Sequence, residues 1–206
     1  MKKCKIWPIL LYTLFTLFYT FTPKTMTRTE KQRILQAQRL DLIKRHPTFS
    51  ESDIRCFNFI TRSDTKANDL TWLITHYLQW VGHQAERINT QGQARVRKIV
   101  DGQTGQQIGN RTNGVTYTPT TGTRGSADIS STISVTIGGR KIGISVKWEV
   151  KIGKDRQSRY QKLYEAAIGQ AAGYYFIVTC IGDFFHYYDA LLAEFPEPSE
   201  HAEKNI

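Results

Sequence analysis

Two alternating runs, ADISSTISVTI at 127–137 and KIGISVKWEVK at 141–151, flank Gly138-Gly139 and limit the fold more than any other feature. Alternation of apolar and polar residues marks half-buried strands, and a Gly-Gly pair between two such runs marks a two-residue hairpin. A tight turn sets the register, so that Ile137 faces Arg140 and Asp128 faces Glu149. Side chains alternate along a strand, which separates two faces. The predicted core face carries Ile129, Ile133, Val135 and Ile137, opposed by Ile142, Ile144, Val146, Trp148 and Val150. The other carries Asp128, Ser130, Thr132, Ser134 and Thr136, opposed by Lys141, Ser145, Lys147, Glu149 and Lys151.

Asp128, Glu149 and Lys151 thus share a face at the end of the hairpin far from its turn. Directly opposed strand residues have Cβ atoms about 4.5–5.5 Å apart. Two carboxylates that close repel unless a cation stands between them. A hard divalent ion suits the place, because Mg²⁺ takes oxygen ligands and keeps several waters. Such an ion lowers the pKa of bound water and neutralises charge building on a phosphoryl group. Lys151 is placed to orient the attacking water or to steady the transition state. The plain alternative is a cross-strand pair on a solvated sheet face, with Lys151 balancing Glu149, and a one-residue bulge would break the register.

Charge bears on that choice. The 206 residues carry a formal net charge of +10, which favours a polyanionic partner: nucleic acid first, an acidic membrane surface second. Between Arg140 and Lys162 eight basic residues, Lys154, Arg156 and Arg159 among them, face only Glu149 and Asp155. Basic residues around an acidic pair suit a site that admits a phosphate backbone and holds a metal. A basic, solvated helix start is the bland account. Hydrophobic residues make up 40% of the chain, enough for a packed core and unlike a disordered chain. Three scattered cysteines argue against a disulfide framework and a zinc knuckle and fit a reducing compartment, so a cytoplasmic location is expected.

The N-terminus complicates location. Lys2, Lys3 and Lys5 precede an apolar run from Ile6 to Phe21. That run is shorter than the roughly 20 residues a membrane span needs. It resembles a secretory signal, yet no small-x-small cleavage site follows. Three readings stand: a translation start at Met26, a signal for secretion, or a membrane anchor. The first is favoured, since the rest reads as intracellular.

The expected organisation is an apolar segment over 1–25, a helical extension over 26–67, a catalytic domain over 68–193 and a flexible tail over 194–206. Residues 28–45 read as a helix with Ile34, Leu35, Leu42 and Ile43 as facing contacts, stopped by Pro47. No element is expected over 47–67. Leu70, Leu73, Ile74, Tyr77, Leu78 and Val81 share one helical face, and Gly82 is the stop. Short strands are expected near 85–89 and 96–100. Residues 101–125, rich in Gly, Thr, Asn and Gln, read as a long loop from which Arg111 and Arg124 could reach a phosphate. A helix from Gln157 or Ser158 to Gly173 places Gln161, Tyr164, Glu165 and Ile168 on one face, with Gln161 and Tyr164 near the strand end holding Lys151. YYFIVTC at 174–180 reads as a buried strand, and Asp183 as the cap of a last helix whose aromatics are core.

This order, with GSADIS at 125–130, WEVK at 148–151 and DRQSRYQKLY at 155–164, resembles the PD-(D/E)XK nuclease superfamily. Within it the chain is most similar to the VRR-NUC family of virus-type replication-repair nucleases. The resemblance covers roughly residues 68–180. Glu-x-Lys alone is weak evidence; joined to the upstream Asp and the downstream Gln-x-x-Tyr it is strong. The resemblance implies an α/β fold with a restriction-endonuclease-like core: helix, β-hairpin, helix and strand, with helices flanking a central mixed sheet. It implies a Mg²⁺-dependent DNA endonuclease, with Mn²⁺ as a substitute, acting in phage- or mobile-element-type replication, recombination or repair. Asp128, Glu149 and the main-chain carbonyl of Val150 would hold the metal, Lys151 would be the catalytic lysine, and Gln161 matches the family's helix glutamine. Arg124, Lys154, Arg156, Arg159 and Tyr164 are the expected nucleic-acid contacts. Ala127 stands where the family has Pro. Asn68 and Asp69 stand near the family's first-helix Glu, and either is a candidate outer ligand. DNA is the expected partner, with branched junctions, flaps, nicks and plain duplex all open, and a homodimer is compatible with it. The alternative is a catalytically inactive nucleic-acid-binding module with the same fold.

Overall fold

The computed structural model describes residues 25–59, 62–88, 93–118 and 122–196. In chain order the elements are α1 (Arg28–Arg45), α2 (Glu51–Cys56), α3 (Ala67–Trp80), β1 (Gln84–Arg87), β2 (Gln93–Val100), β3 (Gln107–Thr118), β4 (Ile129–Ile137), β5 (Arg140–Val150), α4 (Arg159–Gln170), β6 (Tyr174–Val178) and α5 (Ile181–Ala193). The fold is mixed α/β. One four-stranded sheet runs β1-β4-β5-β6, and β2 with β3 forms a separate two-stranded sheet. β1 pairs antiparallel with β4, β4 antiparallel with β5, and β5 parallel with β6.

The hairpin has the expected register, from Ile137 opposite Arg140 to Ile129 opposite Trp148. Gly138 and Gly139 take φ of 55° and 75°, the left-handed pair that a type I′ turn requires. The even residues of β5 and the odd ones of β4 face a core shared with Leu70, Leu73, Ile74 and Tyr77 of α3, Phe184 and Tyr188 of α5, and Ile34 of α1. Trp148 and Phe184 meet edge-on with ring centroids 5.0 Å apart. Ile34 and Ala37 therefore place α1 in the same core as the sheet. Arg33 ties α1 down by pairing with Asp189 of α5 at 2.6 Å and donating to the Tyr77 hydroxyl at 2.9 Å.

Several expectations need correction. Ile137 and Ile142 lie on the core side of the strands but are 41% and 42% exposed, because the turn end of the hairpin runs past the helices that cover the rest. Ile43 is exposed as well. Ser131, a polar residue on the core face, is buried; it accepts from the Trp148 indole at 2.9 Å and donates to the Val146 carbonyl at 3.2 Å, which satisfies both groups. The loop expected over 101–125 contains β3, paired with β2. Residues 47–67 hold α2, opened by a capping box between Ser50 and Asp53. The last helix starts at Ile181, with Cys180 as its N-cap; Asp183 sits in the first turn and accepts from the Thr179 N–H at 3.0 Å.

Among the described residues no helix is long and apolar enough to cross a membrane. The apolar run from Ile6 to Phe21 and the tail from residue 197 onward lie outside the described residues.

Candidate active site

Asp128 directly precedes β4, and Glu149 is the penultimate residue of β5. The paired register ends at Ile129 opposite Trp148; continued by one step it would set Asp128 against Glu149, and the Asp128 charge does act on Glu149. The Val150 N–H donates to Asp128 Oδ2 at 2.9 Å, and a strand residue sends its N–H and C=O to the same side. The Val150 carbonyl thus leaves on the edge where Asp128 stands. On the opposite edge the Lys151 N–H bonds to the Val178 carbonyl at 2.9 Å, which fixes the end of β5 between both neighbours.

α4 covers the sheet face that carries Glu149. Ser158 is its N-cap and accepts from the Gln161 N–H, while Gln161 Oε1 accepts from the Ser158 N–H at 2.8 Å. This capping box holds the Gln161 side chain at the helix start. Its amide nitrogen is then turned onto Glu149 Oε1. The residues expected on one face of α4, Gln161, Tyr164, Glu165 and Ile168, are all half-buried. Tyr164 lies edge-on to Tyr175, with ring centroids 6.2 Å apart. The Tyr175 hydroxyl donates to Glu149 Oε2 at 3.3 Å.

Glu149 is 1% exposed. Burial pushes its pKa above the ordinary glutamate range; the Asp128 charge adds to this, and bonds from Lys151 and Tyr175 oppose it. The Lys151 ammonium is 2.9 Å from Glu149 Oε1 and 3.1 Å from Asp155 Oδ2. Burial pulls its pKa down, but those two bonds outweigh burial and the net shift is upward. Burial and the Glu149 charge push the Tyr175 hydroxyl up too, so it remains a donor. Lys147 lies on the same face and donates to Ser130 Oγ at 2.5 Å.

Beside Lys151 a cavity of about 300 Å³ opens between the 151–157 loop, α4 and β6. Asp155, Arg156, Gln157, Lys162 and Thr179 line it with Lys151. Lys154 and Arg159 are exposed near this mouth, and Arg156 donates to the Asp155 carbonyl at 3.0 Å. Arg124 stacks its guanidinium 3.9 Å from the centre of the Tyr160 ring. Of the two candidate outer ligands, Asn68 accepts from Arg87, which stands opposite Ile129, at 2.8 Å, and Asp69 pairs with Arg62 at 3.1 Å.

Tyr175 and Asp155 escaped the sequence reading. Tyr175 sits in an apolar strand that reads as core, and Asp155 reads as a lone countercharge in a basic stretch. Among the described residues no group of three or more His, Cys, Asp or Glu side chains stands together. The oxygens at this end of the hairpin that an ion could take are the Asp128 and Glu149 carboxylates and the Val150 carbonyl. That set fits a hard ion that keeps most of its waters. No family model, curated protein or solved structure matches the chain.

Proposed function

We propose that the chain is a Mg²⁺-dependent nuclease that hydrolyses DNA phosphodiester bonds. The reading is carried by one observation: Glu149, buried within reach of the Asp128 charge, is held by Lys151 and Gln161 at the end of β5. The order helix, strand, two hairpin strands, helix, parallel strand also supports a restriction-endonuclease-like core, with the β2–β3 pair inserted in it. Asp128, Glu149 and the Val150 carbonyl would hold Mg²⁺, or Mn²⁺ in its place. When bound, the ion supplies a more acidic water and neutralises charge on the phosphoryl oxygens. Gln161 and Tyr175 keep the Glu149 carboxylate in one orientation. Lys151 offers an ammonium to the attacking water or to a phosphoryl oxygen. Lys154, Arg156 and Arg159 supply positive charge where the phosphate backbone would approach.

The direct test is incubation of purified chain with labelled linear, flapped and branched DNA, with Mg²⁺ or with a chelator. Cleavage that needs Mg²⁺ and disappears in Glu149→Gln supports the reading. Folded protein that binds these DNAs and cuts none of them with Mg²⁺, or with Mn²⁺ in its place, is an inactive binding module instead.

Two variants probe the support around Glu149. Gln161→Glu keeps an acceptor for the Ser158 N–H, so α4 retains its cap. It replaces the donor to Glu149 with a second carboxylate. Cleavage is expected to drop by about 10²-fold, and the new carboxylate, set against the buried Glu149 carboxylate, lowers the melting temperature as well; full activity would remove Gln161 from the site. Tyr175→Phe deletes a bond that favours the charged form of Glu149. The Glu149 pKa then rises further, and the acid limb of the cleavage–pH profile moves to higher pH. An unmoved limb would mean that Glu149 does not set it.

A further inference from the structure

Between Ile88 and Asp128 the chain leaves the main sheet and returns at a single point, because the Ile88 N–H donates to the Asp128 carbonyl at 2.8 Å. The insertion thus springs from the sheet end that carries Asp128, Glu149 and Lys151. Its strands β2 and β3 pair with each other, as a sheet of their own. A lone two-stranded ribbon is marginally stable at best in water, so a bound surface would steady it.

The ladder of the ribbon is uneven. Arg95 stands opposite Thr116 and Val96 opposite Val115, but Lys98 stands opposite Asn110. Arg97 alone therefore faces the stretch from Arg111 to Gly114. That shift brings the backbone positions of Arg97, Lys98 and Arg111 together, with Arg95 on the same strand toward the sheet. These four are the basic residues of 93–118, and Asp101 is its one acidic residue. Asp101 is taken up by its own turn, accepting from the Gln103 N–H and the Thr104 hydroxyl at 2.9 Å each.

We infer that the β2–β3 ribbon is an arm that grips double-stranded DNA beside the cleavage site, through Arg95, Arg97, Lys98 and Arg111. The inference rests on the nuclease reading for its choice of DNA as substrate. A two-stranded ribbon fits the major groove of B-form DNA, whereas the narrow major groove of A-form RNA does not admit one. Single strands are held chiefly by stacking on aromatic side chains, and this segment has one aromatic residue, Tyr117. From Arg95 to Lys98 the strand rises about 10 Å at roughly 3.3 Å per residue. That length spans about three base-pair steps.

The test uses the full chain with Arg95, Arg97, Lys98 and Arg111 all changed to Gln. Fluorescence anisotropy in chelator, over about 50–200 mM salt, follows a duplex of roughly two helical turns and its separated strand. A small chromogenic phosphodiester with Mg²⁺ reads the active site independently. The variant is expected to lose at least about tenfold in duplex affinity, and its plot of log affinity against log salt should flatten by about 3.6 in slope, about 0.9 for each of the four charges. Single-strand binding and hydrolysis of the small diester should hold. Arg95→Lys, Arg97→Lys and Arg111→Lys combined keep the charge and should restore duplex binding, which separates lost charge from lost folding. Unchanged duplex affinity and salt slope overturn the arm, whatever the nuclease does. Equal losses on duplex and single strand overturn its duplex character. Wild-type protein that hydrolyses neither substrate, while the Gln variant still loses duplex binding, sinks the nuclease reading and leaves the arm standing.

Discussion

Glu149→Gln is expected to abolish cleavage with little loss of stability, whereas Lys151→Met should abolish it and destabilise the protein severely. Both remove a member of the same pair, so the asymmetry comes from burial. Glu149 is 1% exposed and Lys151 12%. Glutamine keeps the shape of glutamate, removes a buried charge and leaves Lys151 paired with Asp155. It also removes a proposed metal ligand, and a drop of about 10³-fold or more in cleavage is expected. Methionine at 151 strands the Glu149 carboxylate in the interior with only Gln161 and Tyr175 as donors. An unpaired buried charge costs about 3–5 kcal/mol. The sign with pH follows from the raised Glu149 pKa. A carboxyl whose folded pKa exceeds its unfolded one destabilises as pH rises from the unfolded value, about 4.3, through the folded one. The stability deficit of Lys151→Met should thus be largest near neutrality and shrink toward pH 5. For Lys151, whose pKa is raised, the stabilising contribution is full below the unfolded lysine value and is lost as pH rises through the folded one. The double variant Glu149→Gln/Lys151→Met should recover most of the stability and none of the activity. Denaturant unfolding at both pH values, beside a cleavage assay, decides the matter. A Lys151→Met protein as stable as wild type at neutral pH would show that the pair is not buried as described.

Alternation and turn chemistry make the hairpin legible in the residues themselves, and with it the juxtaposition of Asp128 and Glu149. Period-3.6 patterning does the same for α3 and for the face of α4 that carries Gln161 and Tyr164. The failures have physical causes. β3 lacks apolar alternation and its Gly, Thr and Asn residues read as loop; its pairing is with β2, outside the main sheet, so the pattern that marks β4 and β5 does not reach it. Ile137 and Ile142 obey the alternation, but how far covering helices extend along a strand is a tertiary matter that alternation cannot record. Ser131 breaks the apolar pattern and is still buried, because Trp148 and Val146 satisfy its hydroxyl from the neighbouring strand. Tyr175 meets Glu149 only because β6 lies parallel to β5, one strand over. That pairing joins positions far apart in the chain, and no local signal marks it.

Gly125→Ala should be the most damaging change outside the charged cluster, although it adds one methyl group. Gly125 has φ of 85°, in the left-handed region that alanine avoids. The strain costs about 1–3 kcal/mol. Space is the larger obstacle. A Cβ at 125 would lie 2.4 Å from the Tyr160 carbonyl carbon, 2.5 Å from its oxygen and 2.8 Å from the Gln161 nitrogen. All three are main-chain atoms in the first turn of α4, so no side-chain rotation relieves the clash. Either the 122–128 loop or the start of α4 must move. The loop carries Asp128, and the helix carries Gln161, whose amide holds Glu149. Any movement that relieves the overlap therefore pulls a group away from the proposed metal site. A displacement of about 1 Å in such a site is enough for a loss near 10²-fold, and a comparable fall in cleavage is expected. Gly138→Ala is the control. Gly138 also has positive φ, but a Cβ there meets nothing within 4 Å, and the turn is at the far end of the hairpin. It should show backbone strain alone: a modest drop in melting temperature and cleavage near the wild-type rate. Matching losses of activity in the two variants would point to general destabilisation. Normal cleavage by Gly125→Ala would mean that the close approach of loop and helix does not position the site.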